Sequence, residues 1–168
     1  MNHRDRVKIQ LEEFLKDKDI TGWKILEIGP REDRTFADIF RSKGAGWRGI
    51  DLDIHGDDVV YGSMDNMEMI EDNEVDMVFS CHAFEHCKRP VDALKEIARV
   101  SKKFVFMATP YPCAHQILNA DNDHIFCLID MQMIRLFHYT KIKPIRVEYQ
   151  MDSTDEQDFD LISIGEII

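Results

Sequence analysis

Two short apolar runs, each ending in an acid and about one strand–helix–strand unit apart, set the strongest limit on how this chain can fold. The first is Lys24-Ile25-Leu26-Glu27-Ile28-Gly29-Pro30 and the second is Trp47-Arg48-Gly49-Ile50-Asp51-Leu52-Asp53. A nearly continuous apolar run of this length reads as a strand buried on both faces, as a parallel sheet requires. Gly29 breaks the first run into a turn, and Asp51 stands at the carboxyl end of the second. A glycine turn lets backbone approach a ligand, and a strand-end carboxylate can accept both hydroxyls of a ribose. The loop after Gly29 reads Pro30-Arg31-Glu32-Asp33, whereas a phosphate cradle wants more glycine and less negative charge. The two runs therefore point to a nucleoside without phosphates. A dinucleotide fits poorly, because its pyrophosphate would face Glu32 and Asp33.

At 168 residues the chain is long enough for one domain with a sizeable core and too short for two. Apolar residues make up 44%, which supports a packed fold over disorder. The net charge of −11 argues against a nucleic-acid partner, since binding a phosphate backbone needs a basic face. Cys81, Cys87, Cys113 and Cys127 form no C-x-x-C pair, and no stretch approaches the roughly 18 apolar residues that cross a bilayer. No signal segment is apparent at the N-terminus, so free thiols, no membrane association and a cytoplasmic location are the expectation.

Apolar periodicity orders the remaining elements. Residues 4–17 form an amphipathic N-terminal helix, Arg34 to Lys43 a second, Pro90 to Val100 a third with Pro90 opening it, and Asp130 to Phe137 a fourth. Short strands are expected at Asp57–Tyr61, Val75–Ser80 and Phe104–Ala108. Met64 to Asn73 reads as loop with a helical turn. The last two strands, Ile145–Tyr149 and Phe159–Ile164, are separated by an acidic turn from Asp152 to Asp158, which implies an antiparallel hairpin. The prediction is one α/β, Rossmann-like domain over 1–168, with a mostly parallel seven-stranded sheet and a C-terminal antiparallel hairpin.

In that order the chain resembles the class I S-adenosylmethionine-dependent methyltransferases, and within them the small-molecule group called methyltransferase type 11. Lys24 to Gly29 resembles the first motif of the family and Gly49-Ile50-Asp51 the second. Gly62-Ser63-Met64-Asp65-Asn66 stands where a polar stretch holds the adenine. Glu71-Asp72-Asn73-Glu74-Val75-Asp76-Met77-Val78, then Ser80-Cys81-His82-Ala83-Phe84-Glu85-His86 and Arg99-Val100, match the family's fourth-strand region. The family commonly has three alternating glycines in the first motif; here Arg31 and Asp33 stand in place of the second and third.

The resemblance implies S-adenosyl-L-methionine as cofactor and a small-molecule acceptor. Asp51 would take the ribose, with Leu52 beside it and Asp53 a second candidate. Glu27 would lie beneath the methionine moiety, Gly29 and Pro30 would form the turn, and Arg31 could pair with the methionine carboxylate. Met64 would pack on the adenine, with Ser63 or Asp65 meeting its amine. Ser80 and Cys81 would bring backbone carbonyls to the amino group. His82, His86 and His115 are candidate bases, because imidazole titrates near working pH. His124 is placed on the substrate side by its position before the last helix. Tyr111 to Asp130 and the N-terminal helix are the expected covers of the site.

His82-Ala83-Phe84-Glu85-His86 also spells H-x-x-E-H, a zinc-hydrolase signature in which both histidines share one helix face. The pentapeptide follows a buried strand and is cut off by Lys88-Arg89-Pro90, which counts against that helix, so a zinc hydrolase is the lesser alternative and no metal is assigned. A non-catalytic methyltransferase-like binding module is the further alternative, motivated by the glycine-poor loop.

Overall fold

The computed structural model describes residues 3–54, 56–111, 124–152 and 155–168. Seven strands form one sheet in the order β3-β2-β1-β4-β5-β7-β6. They are β1 (Lys24–Ile28), β2 (Gly46–Asp51), β3 (Val59–Tyr61), β4 (Val75–Cys81), β5 (Ser101–Pro110), β6 (Ile142–Asp152) and β7 (Asp155–Ile167). Among the described residues the α-helices are α1 (His3–Leu15), α2 (Thr35–Ser42), α3 (Pro90–Val100) and α4 (Asp130–Tyr139). Strands β1 to β5 pair in parallel. Only β7 runs against its neighbours, lying antiparallel to both β5 and β6.

Side-chain alternation along the strands feeds two apolar layers. Leu26, Ile28, Val78, Val105 and Met107 face one side, where Ala93, Leu94 and Ile97 of α3 and Met133 and Phe137 of α4 cover them. Ile25, Met77, Phe79 and Phe106 face the other, under Val7, Leu11 and Leu15 of α1 and Phe36 and Phe40 of α2. The Phe79 ring lies 4.6 Å from that of Phe36, 5.5 Å from Phe40 and 5.4 Å from Phe106. Each such ring, fully buried, contributes about 1.5–3 kcal/mol, so this aromatic cluster anchors the α1/α2 layer.

The predicted α/β architecture, the seven strands and the C-terminal hairpin are all present. The boundaries of the hairpin differ. Its strands run well beyond Ile145–Tyr149 and Phe159–Ile164, and main-chain pairing continues out to Met151↔Phe159 and Asp152↔Asp155. A ladder needs only backbone groups, so an acidic composition does not by itself end it. Pro144 lacks an N–H and is accommodated because β6 is the sheet edge, next to a register shift between Pro144 and Arg146.

Candidate active site

The order of strands reverses between β1 and β4, and in an open α/β sheet that switch point opens a crevice at the carboxyl ends of the strands. A cavity of about 500 Å³ is located there. The β1 turn contributes Ile28, Gly29 and Arg31 to its wall, and the end of β2 contributes Ile50, Asp51 and Leu52. Residues 62–65 form a third side. His82, Ala83, His86, Cys87 and Lys88, just past β4, form the fourth.

Local conformation explains the shape of the turn. Gly29 has φ +69°, and a Cβ at that position would lie 2.6 Å from the Cβ of Ala83. The turn therefore needs glycine for its backbone angle and for the close approach of the segment after β4. Arg31 has φ +53°, so the loop keeps a left-handed residue at the second motif position although glycine is missing. Such a conformation costs an L-residue roughly 1–2 kcal/mol. The Arg31 backbone N–H donates to Asp51 Oδ2 at 2.9 Å, and the Asp53 N–H donates to Asp51 Oδ1 at 3.3 Å. Each carboxylate oxygen retains a second lone pair, and Asp51 is half-buried at the cavity wall.

Opposite Asp51, the Ser63 hydroxyl donates to Asp65, and Arg89 Nε pairs with Asp65 Oδ2 at 2.8 Å. The bond from Ser63, followed by the Arg89 charge, holds the Asp65 carboxyl below its ordinary range. Met64, partly buried against the core, lines the wall between them.

Several expected residues stand behind the cavity. Glu27, Pro30, Ser80 and Cys81 are buried and do not line it. The Glu27 side chain alternates away from Leu26 and Ile28 toward the α1/α2 layer, where its Oε2 accepts the Trp47 indole N–H at 2.8 Å. Burial pushes its pKa up to about 7, against the opposing effect of the Trp47 bond. This carboxyl braces β1 against β2 rather than touching the ligand space. Burial likewise raises the Cys81 thiol well above its usual range. His115 lies outside the described residues, as does most of the expected cover from Tyr111 to Asp130.

His82 and His86 do line the cavity, but not as a helical pair. His82 sits at φ +52° immediately after β4, and Phe84–His86 make only a single 3-10 turn. The H-x-x-E-H helix is therefore not formed, as the short run before Pro90 implied. Instead, His82 Nε2 is 2.7 Å from Asp160 Oδ1, while Asp160 Oδ2 accepts Arg6 Nε at 2.8 Å. A carboxylate accepts, so Nε2 presents its N–H to Asp160, and the other ring nitrogen, Nδ1, lies 3.7 Å from Glu85 Oε1. Sequence reading missed Arg6 and Asp160, along with the wall residues Ala83, Cys87 and Lys88. The available signal was an acid placed between Phe159 and Leu161, where the apolar part of the last strand begins.

A family model described as a methyltransferase domain matches residues 37–107. No curated protein sequence matches the chain. Solved structures do match over nearly the whole fold. An S-adenosylmethionine-dependent methyltransferase from Archaeoglobus fulgidus has a TM-score of 0.76 at 15% identity, covering 97% of this chain and 94% of that one. The chain has the fold of these methyltransferases, and its residues 37–107 are similar to a methyltransferase domain. A magnesium protoporphyrin IX methyltransferase from Synechocystis, solved with S-adenosylhomocysteine, has a TM-score of 0.75 at 9% identity and covers 99% and 84%. A chain of the Haloferax volcanii complex that contains the Trm112 methyltransferase activator has a TM-score of 0.71 at 19% identity and covers 96% and 90%. Within this methyltransferase fold, the family match begins beyond the glycine-poor turn, so Gly29 to Asp33 rest on the geometry described above.

Proposed function

We propose that the chain is an S-adenosylmethionine-dependent methyltransferase acting on a small-molecule acceptor. The observation that carries this reading is the cavity at the β1/β4 switch point, with a strand-end carboxylate on its wall and a left-handed turn beside it. Its volume falls within the roughly 300–1,000 Å³ of cofactor and ligand pockets. The donor set fits a phosphate-free nucleoside: Asp51 offers free lone pairs to a ribose, and Met64 offers a polarisable surface to an adenine. Arg31 and Lys88, both on the wall, supply cationic groups for a carboxylate.

When bound, the cofactor supplies an electrophilic methyl group on a sulfonium, and the protein's share of the work is orientation and proton removal. His82 is the base we assign. Asp160, itself fixed by Arg6, holds the imidazole through Nε2, which leaves Nδ1, 3.7 Å from Glu85 Oε1, as the ring nitrogen to take the acceptor's proton. Supporting a small acceptor are neighbours such as the Synechocystis enzyme, which is named for one.

Calorimetric titration with S-adenosylmethionine tests the reading. Binding is expected, and Asp51→Ala should weaken it by about 1–3 kcal/mol, the range for lost hydrogen bonds to a charged group. Absence of both heat and thermal shift at millimolar cofactor would favour a non-catalytic module. Unchanged affinity in the variant would place the ribose elsewhere.

A further inference from the structure

Beside the proposed base lies a second group of side chains that methyl transfer does not require. Glu85 is 1% exposed, and neither of its carboxylate oxygens has a hydrogen-bond partner among the described residues. A buried carboxylate without such a partner costs several kcal/mol unless a positive charge meets it. Its Oε1 is 3.7 Å from His124 Nε2 and 3.9 Å from His86 Nε2. One ligand atom from each of the three residues lies within 4.8 Å of the others. Ligands held about 2.1 Å from a tetrahedral ion are about 3.4 Å apart, so small side-chain shifts would bring all three into range.

The backbone builds this arrangement from distant segments. The 3-10 turn presents Glu85 and His86 together, and the Ile125 N–H donates to the Glu85 carbonyl at 2.9 Å, which docks His124 against the turn. The imidazoles of His86 and His124 meet edge to face, with centroids 5.0 Å apart.

We propose that Glu85, His86 and His124 bind one divalent transition ion of the zinc type. Two imidazoles and one carboxylate are a donor set that leaves a coordination position open. This set differs from the one the H-x-x-E-H spelling suggests: His82 Nδ1 also lies 3.7 Å from Glu85 Oε1, but its Nε2 is held by Asp160 and it is not among the three residues whose ligand atoms all lie within 4.8 Å of one another. His86 lines the cavity, so the open position is available to an oxygen of an acceptor, polarising it for deprotonation. That last role rests on the methyltransferase reading; the ion site itself does not, and its test omits the cofactor.

Protein stripped with chelator and titrated with Co²⁺, a visible-absorbing substitute for Zn²⁺, should take up one equivalent with the spectrum of a nitrogen- and oxygen-ligated ion. Zn²⁺ should then displace it. His124→Ala and Glu85→Gln should each weaken uptake at least tenfold, while His82→Gln keeps one equivalent. Because a variant could fail to fold, paramagnetic shifts of imidazole resonances in the unaltered protein provide a second measurement, expected at His86 and His124. No stoichiometric uptake, or loss in His82→Gln but not in His124→Ala, overturns the proposal. So do shifts at His82 in place of His124.

Discussion

Gly29 and Arg31 occupy alternate positions of one turn with the same left-handed backbone, at φ +69° and +53°, yet they tolerate substitution on different grounds. At Arg31 the residue is exposed at the cavity wall, and the backbone angle is the strained feature. At Gly29 any Cβ would also strike Ala83. Gly29→Ala should therefore destabilise the fold by roughly 2–4 kcal/mol, combining left-handed strain with overpacking, and should narrow the cavity. Arg31→Gly should change stability by less than about 1 kcal/mol, since relief of strain is offset by a more flexible unfolded chain. Urea denaturation of both variants checks this, and equal effects would show that the backbone angle alone matters. The glycine-poor spelling that left the first motif ambiguous in sequence thus conceals a turn of the expected shape.

Among the elements, β1, β2 and α3 were the most legible. Their apolar runs are continuous or strictly periodic, and Pro90 marks the observed start of α3. Less legible was which face each strand-end acid takes, because one residue of alternation decides it. Glu27 and Asp51 look alike in sequence, each at the end of an apolar run, but Asp51 meets the cavity and Glu27 turns toward Trp47. This difference predicts a pH signature. Glu27 ionises near 4.5 when exposed and near 7 in the fold, so between those values the folded state holds a proton that the unfolded state releases. Stability from this group is complete below about pH 4.5, falls as pH rises, and is lost above about 7, a total on the order of 3 kcal/mol. Glu27→Gln keeps an acceptor for the Trp47 indole and removes the titration. Its stability should gain on that of the unaltered protein from pH 4.5 to 8 in chemical denaturation. Parallel curves would mean that Glu27 is not held neutral.

Across the whole molecule, the antiparallel direction of β7 has a functional consequence. Strands β1 to β4 lead into the cavity and β5 ends on the same side of the sheet, so β7, running the other way, brings Asp160, paired with Pro110 at the end of β5, to the edge of the site beside His82. Its partners are 154 residues away at Arg6 and 78 away at His82, separations that no local pattern reveals. The pair is nearly inaccessible, with Arg6 4% and Asp160 0% exposed. Removing one partner strands a buried charge, and Asp160→Asn should cost about 3–5 kcal/mol. Replacing both, as Arg6→Met with Asp160→Leu, should restore much of that stability, because a buried ion pair contributes little over apolar packing of similar volume. The double variant should still lose the single Nε2–H tautomer of His82 in nitrogen NMR spectra, since its acceptor is gone. If the double variant remains as unstable as Asp160→Asn, the pair is a structural clamp between α1 and β7. If it recovers stability while His82 loses its fixed tautomer, the buried charge is kept for orienting the imidazole.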